Sequence, residues 1–168
     1  MRFPSSLLLA LAFASPAFAS TPAIAPQQAA VAKASVAKLR PAYAQALLAL
    51  GRSYRHAGRL AEAAKTAQQA ADAFDALVEL HKHLSDALPD SGRATAERHL
   101  ARGFGVQRDQ AMFLTAECAR ALGHDDDAIR AYALVVESEA ELPLGRQALD
   151  RLTAMGVAAS APAAPEQP

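Results

Sequence analysis

Between Leu60 and Leu88 the chain has neither glycine nor proline, and Leu60, Ala63, Ala67, Ala70, Phe74, Leu77, His81, Leu84 and Leu88 recur in alternating steps of three and four. This is the seam spacing of paired helices, and a stretch without a breaker continues as one helix. At the α-helical rise it is about 40 Å long. A rod of that length draws its stability from packing an apolar face, so it requires a partner of comparable length. The segment from Arg93 to Leu122 supplies one, with Leu100, Phe104, Ala111, Leu114 and Cys118 in register, after the turn "LPDSG" at Leu88 to Gly92. Glycines at 103 and 105 are expected to kink this second helix.

Breakers place the remaining elements. Pro41 suits the first turn of a helix running to about His56, and Gly58 supplies the left-handed conformation that ends it. "GHDDD" at Gly123 to Asp127 repeats that turn, with aspartates that complement the N-terminal dipole of the next helix. "ELPLG" at Glu141 to Gly145 starts a last helix closed by Gly156. Alanine, leucine, glutamate, arginine and lysine fill these segments, and the alternation of β-branched and aromatic residues that marks strands is absent. The expectation is an all-α domain over residues 41–156.

The ends read differently. Met1-Arg2, the apolar run "SLLLALAFA" from Ser6, and Ala17 and Ala19 in a small-x-small pattern form a secretory signal peptide over residues 1–19, with a cut expected after Ala19. Periplasmic or secreted localisation follows. The run is too short to span a bilayer, and no other apolar stretch approaches the ~20 residues required. Residues 20–40 are expected to be a mobile segment with a marginal helix from Gln27 to Leu39. Residues 157–168, Ala/Pro-rich, are expected to be a disordered tail. The single cysteine, Cys118, lies deep in the chain, which removes both an internal disulfide and a lipid-anchored cysteine after the signal. It reads as a small buried hydrophobe.

Charge and motifs exclude several functions. With 17 basic and 17 acidic residues the chain has no general nucleic-acid signature. The sign is uneven, however: Ser20 to Lys65 carries seven bases and one acid, whereas Glu117 to Arg151 carries eight acids and four bases. His81 and His83 are two apart, about 200° around a helix, and cannot chelate one ion from one face. His56, His99 and His124 lack spaced partners, so no metal site is expected. Asp125 to Asp127 lack the further oxygen ligands of a calcium loop. "GFGVQ" has no preceding strand and is no phosphate loop. No hydrolase constellation surrounds any serine. The reading is non-enzymatic, without catalytic residues or cofactor.

One pattern carries a positive assignment. Leu47-x2-Leu50-Gly51-x2-Tyr54, then Gly58, then Ala63-x3-Ala67, resembles the tetratricopeptide repeat signature W-x2-L-G-x2-Y followed by A-x3-F. A weaker copy is Met112-x2-Thr115-Ala116-x2-Ala119, Gly123, Ala128-x3-Tyr132. In both, the turn glycine precedes the signature alanine by five residues. The physical reason is close approach: Gly51, Ala63, Ala116 and Ala128 are small where helix backbones cross at roughly 8 to 10 Å. Leu47 stands in place of tryptophan and Ala67 in place of the aromatic, and no proline lies near Asp75. The fold expected is therefore a short α-solenoid of tetratricopeptide-like antiparallel hairpins, with a lengthened central hairpin and a C-terminal capping helix. A degenerate middle repeat, with a break near Asp72 to Asp75, competes with the long hairpin but lacks a turn residue there.

In this family the first helix of each repeat lines a concave groove. The resemblance implies groove positions at Gln45, Leu48, Arg52 and Arg55, continued by Arg59 in the same three-four spacing, and at Gln110, Phe113, Glu117 and Arg120 in the second copy. That groove would have a basic wall at one end. The implied function is a protein- or peptide-binding adaptor of the cell envelope, for a partner with acidic or carboxylate-terminated segments, since arginine forks suit carboxylates. The alternatives are a self-assembling structural protein, that is a homo-oligomer driven by the oppositely charged ends, and a histidine-bearing ligand- or metal-binding bundle.

Overall fold

The computed structural model describes residues 24, 27, 28, 41–88, 92–139 and 141–157. Five helices follow one another among them: α1 (Pro41–His56), α2 (Leu60–Ala87), α3 (Gly92–Ala121), α4 (Asp125–Glu139) and α5 (Pro143–Ala154). Each packs antiparallel on the next, and the α2–α3 pairing is the most extensive. The all-α hairpin architecture expected from the sequence is the one observed. No break interrupts α2 at Asp72 to Asp75, and α3 runs through Gly103 and Gly105 without losing helical hydrogen bonding. The central hairpin is therefore a single long one. Pro89, Asp90 and Ser91 of its turn lie outside the described residues, as do residues 1–19, for which a signal peptide was expected, and residues 158–168.

Three helix ends share one geometry. Gly58, Gly123 and Gly156 have φ of 72°, 78° and 78°. At the end of α1, Arg59 N–H donates to the Tyr54 carbonyl (2.9 Å) and Gly58 N–H to the Arg55 carbonyl (3.0 Å). The same pair of bonds recurs at the end of α3, from His124 to Ala119 and Gly123 to Arg120, and at the end of α5, from Val157 to Leu152 and Gly156 to Thr153. This is the Schellman arrangement, in which a left-handed glycine lets the chain reverse while satisfying terminal carbonyls. The side-chain contact that accompanies it is Val157 near Leu152 at α5, and at α1 the Arg59 guanidinium 4.6 Å above the Tyr54 ring. Helices α1, α3 and α5 are thus equivalent first helices, and α5 is followed by no second helix among the described residues.

The core divides around α3. One cluster joins α1, α2 and α3 through Leu47, Leu50, Ala67, Phe74, Leu77 and Leu114, and the other joins α3, α4 and α5 through Ala116, Ala128, Tyr132, Val135 and Ala148. Ala63, Ala116 and Ala128 are fully buried, as the close-approach argument requires. A Cβ on Gly51 would lie 3.3 Å from the Ala67 nitrogen and 3.5 Å from the Ala63 oxygen, so the α1 and α2 backbones meet at this glycine. Ile24 is buried in the first cluster, and Gln28 donates from Nε2 to the Tyr54 hydroxyl at 2.7 Å. These contacts tie the described part of the 20–40 segment to α1; the rest of that segment lies outside the described residues.

The long seam departs from its expected register at the far end. Ala63 through Leu77 are buried as read, but Leu84 is 42% exposed and its neighbour Ser85 is buried; in α3, Leu100 is 46% exposed and Ala101 is buried. An α-helix drifts by ~20° per heptad against a strict 3.5-residue repeat, and in α2 this carries the buried line from Leu77 to Val78 and Ser85. In α3, Ala94, Ala101, Phe104, Ala111 and Cys118 keep heptad spacing, and the step before Phe104 is three residues, to Ala101, instead of four, to Leu100. His81 stays on the line, with its ring 5.3 Å from that of Phe104 and Nδ1 2.5 Å from Glu97 Oε2.

Replacement of Gly51 by leucine must separate α1 from α2 and should cost about 1 to 3 kcal/mol. Chemical denaturation of wild type and Gly51→Leu measures it, and an unchanged midpoint would contradict the crossing described here.

Candidate functional site

Because α1, α3 and α5 are equivalent, their exposed sides form one face. The Schellman turns fix where each helix stops, and the small residues at the crossings set how near the three lie. On α1, Gln45, Arg52 and Arg55 are exposed, and on α3 so are Gln110 and Arg120, with Phe113 and Glu117 partly covered. The two groups read separately from the sequence come together: Arg52 Nη2 donates to Gln110 Oε1 at 3.0 Å, and Arg55 Nη2 lies 3.4 Å from Glu117 Oε2. Between them is a cavity of about 300 Å³ lined by Arg52, Arg55, His56, Gln110, Phe113 and Leu144.

Two of the expected groove residues lie elsewhere. Leu48 is only 5% exposed and belongs to the core. It sits on α1 between the core-facing Ala44 and Gly51 and the outward Arg52, and at such a border an apolar side chain turns inward. Arg59 lies past the end of α1, where Nε donates to Glu62 Oε1 at 2.9 Å, so it closes the turn and does not line the groove.

Glu117 is the hub of this face. Besides Arg55, it accepts from the Tyr132 hydroxyl at 2.5 Å and from Arg151 Nε at 2.9 Å, and so joins α1, α3, α4 and α5. Burial works against its ionisation, but the Tyr132 hydrogen bond with Arg151 and Arg55 outweighs it and holds the carboxyl below the usual value of 4.5. Burial and the adjacent carboxylate push the Tyr132 phenol far up, so it remains a donor. Phe113 meets the Tyr132 ring edge-on at 5.4 Å, which fixes both rings.

Sequence reasoning missed Arg151 and Leu144, which add α5 to this face. A signal for them was present: each follows Glu117 or Gln110 by 34 residues, the repeat length. It was obscured because α5 otherwise has the polar outer surface of a cap. Cys118 is buried, and burial raises its thiol, as suits a packing residue. Among the described residues no three His, Cys, Asp or Glu side chains are placed to hold a metal ion, and no helix is long and apolar enough to cross a membrane.

Antiparallel helical hairpins stacked so that their first helices share one face, each ending on the same glycine turn, define a helical repeat protein. The tetratricopeptide repeat family model matches residues 45–75 and 110–140, the α1–α2 and α3–α4 hairpins without their long extensions. The chain thus carries two tetratricopeptide repeats. No curated protein and no solved structure matches it.

Glu117 has a lowered pKa in the folded state, so its contribution to stability is fully present above the ordinary carboxylate value and is lost as pH falls through the lowered one. Melting temperatures of wild type and Glu117→Gln should therefore differ most near neutrality and converge in acid. Parallel curves would show that Glu117 does not carry this coupling.

Proposed function

We propose that the chain is a non-enzymatic adaptor that binds an acidic protein segment on the α1–α3–α5 face and that it works in the cell envelope after export. Repeats of this family generally mediate protein–protein interaction, which supports the coarse assignment. The finer one rests on a single observation: Arg52, Arg55 and Arg151 converge on Glu117 and Gln110. One carboxylate among three guanidinium groups leaves the face positive. Arg52 is held by a neutral amide, so its charge remains for a ligand carboxylate, to which the planar fork can donate two parallel hydrogen bonds. Phe113 and Leu144 beside it provide apolar contact for the ligand's neighbouring side chains.

The envelope assignment rests on the leader-like sequence of residues 1–19. Its direct test is mass spectrometry of the native protein, which should begin at Ser20 in a periplasmic fraction. A chain that retains Met1 in the cytosol would refute export.

The binding assignment is tested by affinity capture from envelope extract with wild type, Arg52→Glu/Arg55→Glu, and Lys82→Glu on the distant hairpin as control. The captured partner should be lost with the double variant, retained with the control, and weakened as salt shortens the screening length below about 10 Å. Identical capture by all three would refute the site.

A further inference from the structure

A second recess lies on the opposite side of α3. Met112 and Ala119 stand two residues from Gln110 and Glu117, about 200° around the helix. Here α2 and α4 flank α3 without packing on one another, and the space between them is an open trough. It comprises two adjoining cavities of about 420 Å³ and 450 Å³, which share Gln68, Met112 and Leu134. Those volumes lie in the ~300 to 1,000 Å³ range of ligand-accepting sites. Along α2 the trough extends from Ala64 to Asp75, about three helical turns or ~17 Å.

Its floor is apolar: Met112, Ala71 and Ala119 lie at the base, Leu134 on the α4 wall is 48% exposed, and Leu122 at one end is 38% exposed. Nothing in the two cores requires these leucines to face outward. The ends are charged in opposite senses. At one end Asp72, Asp75 and Glu137 gather; Asp75 is engaged by Arg108 Nη1 at 3.1 Å, and Asp72 accepts from Gln68 Nε2 at 2.8 Å, which leaves this end net negative. At the other end Lys65 and His124 lie beside the Arg130–Asp127 ion pair.

We propose that this trough is a docking site for an amphipathic α-helix of a partner protein, with a cationic N-terminal turn against Asp72, Asp75 and Glu137 and an apolar stripe over Met112 and Leu134. The trough lies between two parallel ridges of helical side chains, which a third helix fills at ordinary packing distance. The helix dipole complements both ends at once, its positive N-terminus at the carboxylates and its negative C-terminus at Lys65. Met112 is an unbranched side chain that adapts to different apolar contours. The site is independent of the arginine face, because it uses other residues of α3 and the walls of α2 and α4.

The test uses two synthetic helical peptides of about 14 residues with leucines at positions i, i+4 and i+7, one with lysines and the other with glutamates in the first turn. Each is titrated into the full chain by fluorescence anisotropy. The lysine peptide should bind at least roughly tenfold tighter than the glutamate peptide, and Leu134→Glu should weaken it by a similar factor. Asp72→Lys/Glu137→Lys should reverse the preference, and Arg52→Glu/Arg55→Glu should leave it unchanged. Leu134 is half-exposed, so the variant keeps the fold, and circular dichroism checks this. Equal affinities, absence of binding at millimolar peptide, insensitivity to Leu134→Glu, or loss with the arginine variant would each overturn the proposal. So would a wild-type dimer that Leu134→Glu converts to a monomer, since a second copy would then occupy the trough.

Discussion

The close meeting of α1 and α2 at Gly51 sets the geometry on which everything else rests. With a Cβ position only 3.3 Å from the Ala67 nitrogen, there is room for hydrogen and nothing larger without displacement. The fully buried Ala63 and Ala67 provide the matching flat surface. Ala116 and Ala128 do the same at the α3–α4 crossing. Because the backbones approach so closely, α1 comes near enough to α3 for Arg52 to reach Gln110 and Arg55 to reach Glu117. A wider crossing would leave these side chains isolated in water, where surface ion pairs contribute little.

Helix α3 converts that local geometry into architecture. Phe104, Ala111, Leu114 and Cys118 face the first core, and Ala116 and Ala119 face the second. Of the two sides left, one carries the Glu117 hub and the other forms the floor of the trough. Asp109, nearly fully buried, is tolerated at the junction because Ser138 Oγ donates to it at 2.8 Å and Arg108 Nε at 2.9 Å. A buried carboxylate without such donors would carry a severe desolvation cost. Satisfied, it links α3 to α4, while Arg108 also reaches Asp75 on α2.

Much of the fold was legible because helices announce their ends locally. Pro41, the glycines at 58 and 123, and the uninterrupted stretch after Leu60 placed α1, α2 and the start of α4 at or near their observed limits. What a periodic reading could not resolve was the far half of the long hairpin. A heptad and an α-helical period agree over two turns and diverge over seven, so in α2 Ser85 takes the place expected of Leu84. In α3 steps of three and four both fit the pattern before Phe104, and Ala101 takes the place expected of Leu100. The site was legible in pieces: spacing grouped Arg52 with Arg55, and the repeat resemblance added Gln110 and Glu117 at the corresponding positions, but Leu48, which borders two faces, was misplaced.

The sequence by itself determined that this chain is helical, that its first helices end on left-handed glycines, and that small residues occupy the crossings, because each of these depends on chemistry within a few residues. Only the tertiary structure decided that Glu117 gathers Arg55, Arg151 and Tyr132 from three other helices, and that α2 and α4 leave a trough between them. Those outcomes depend on the angles and separations at which distant segments pack. Such distances arise from the whole set of contacts and are encoded at no single position.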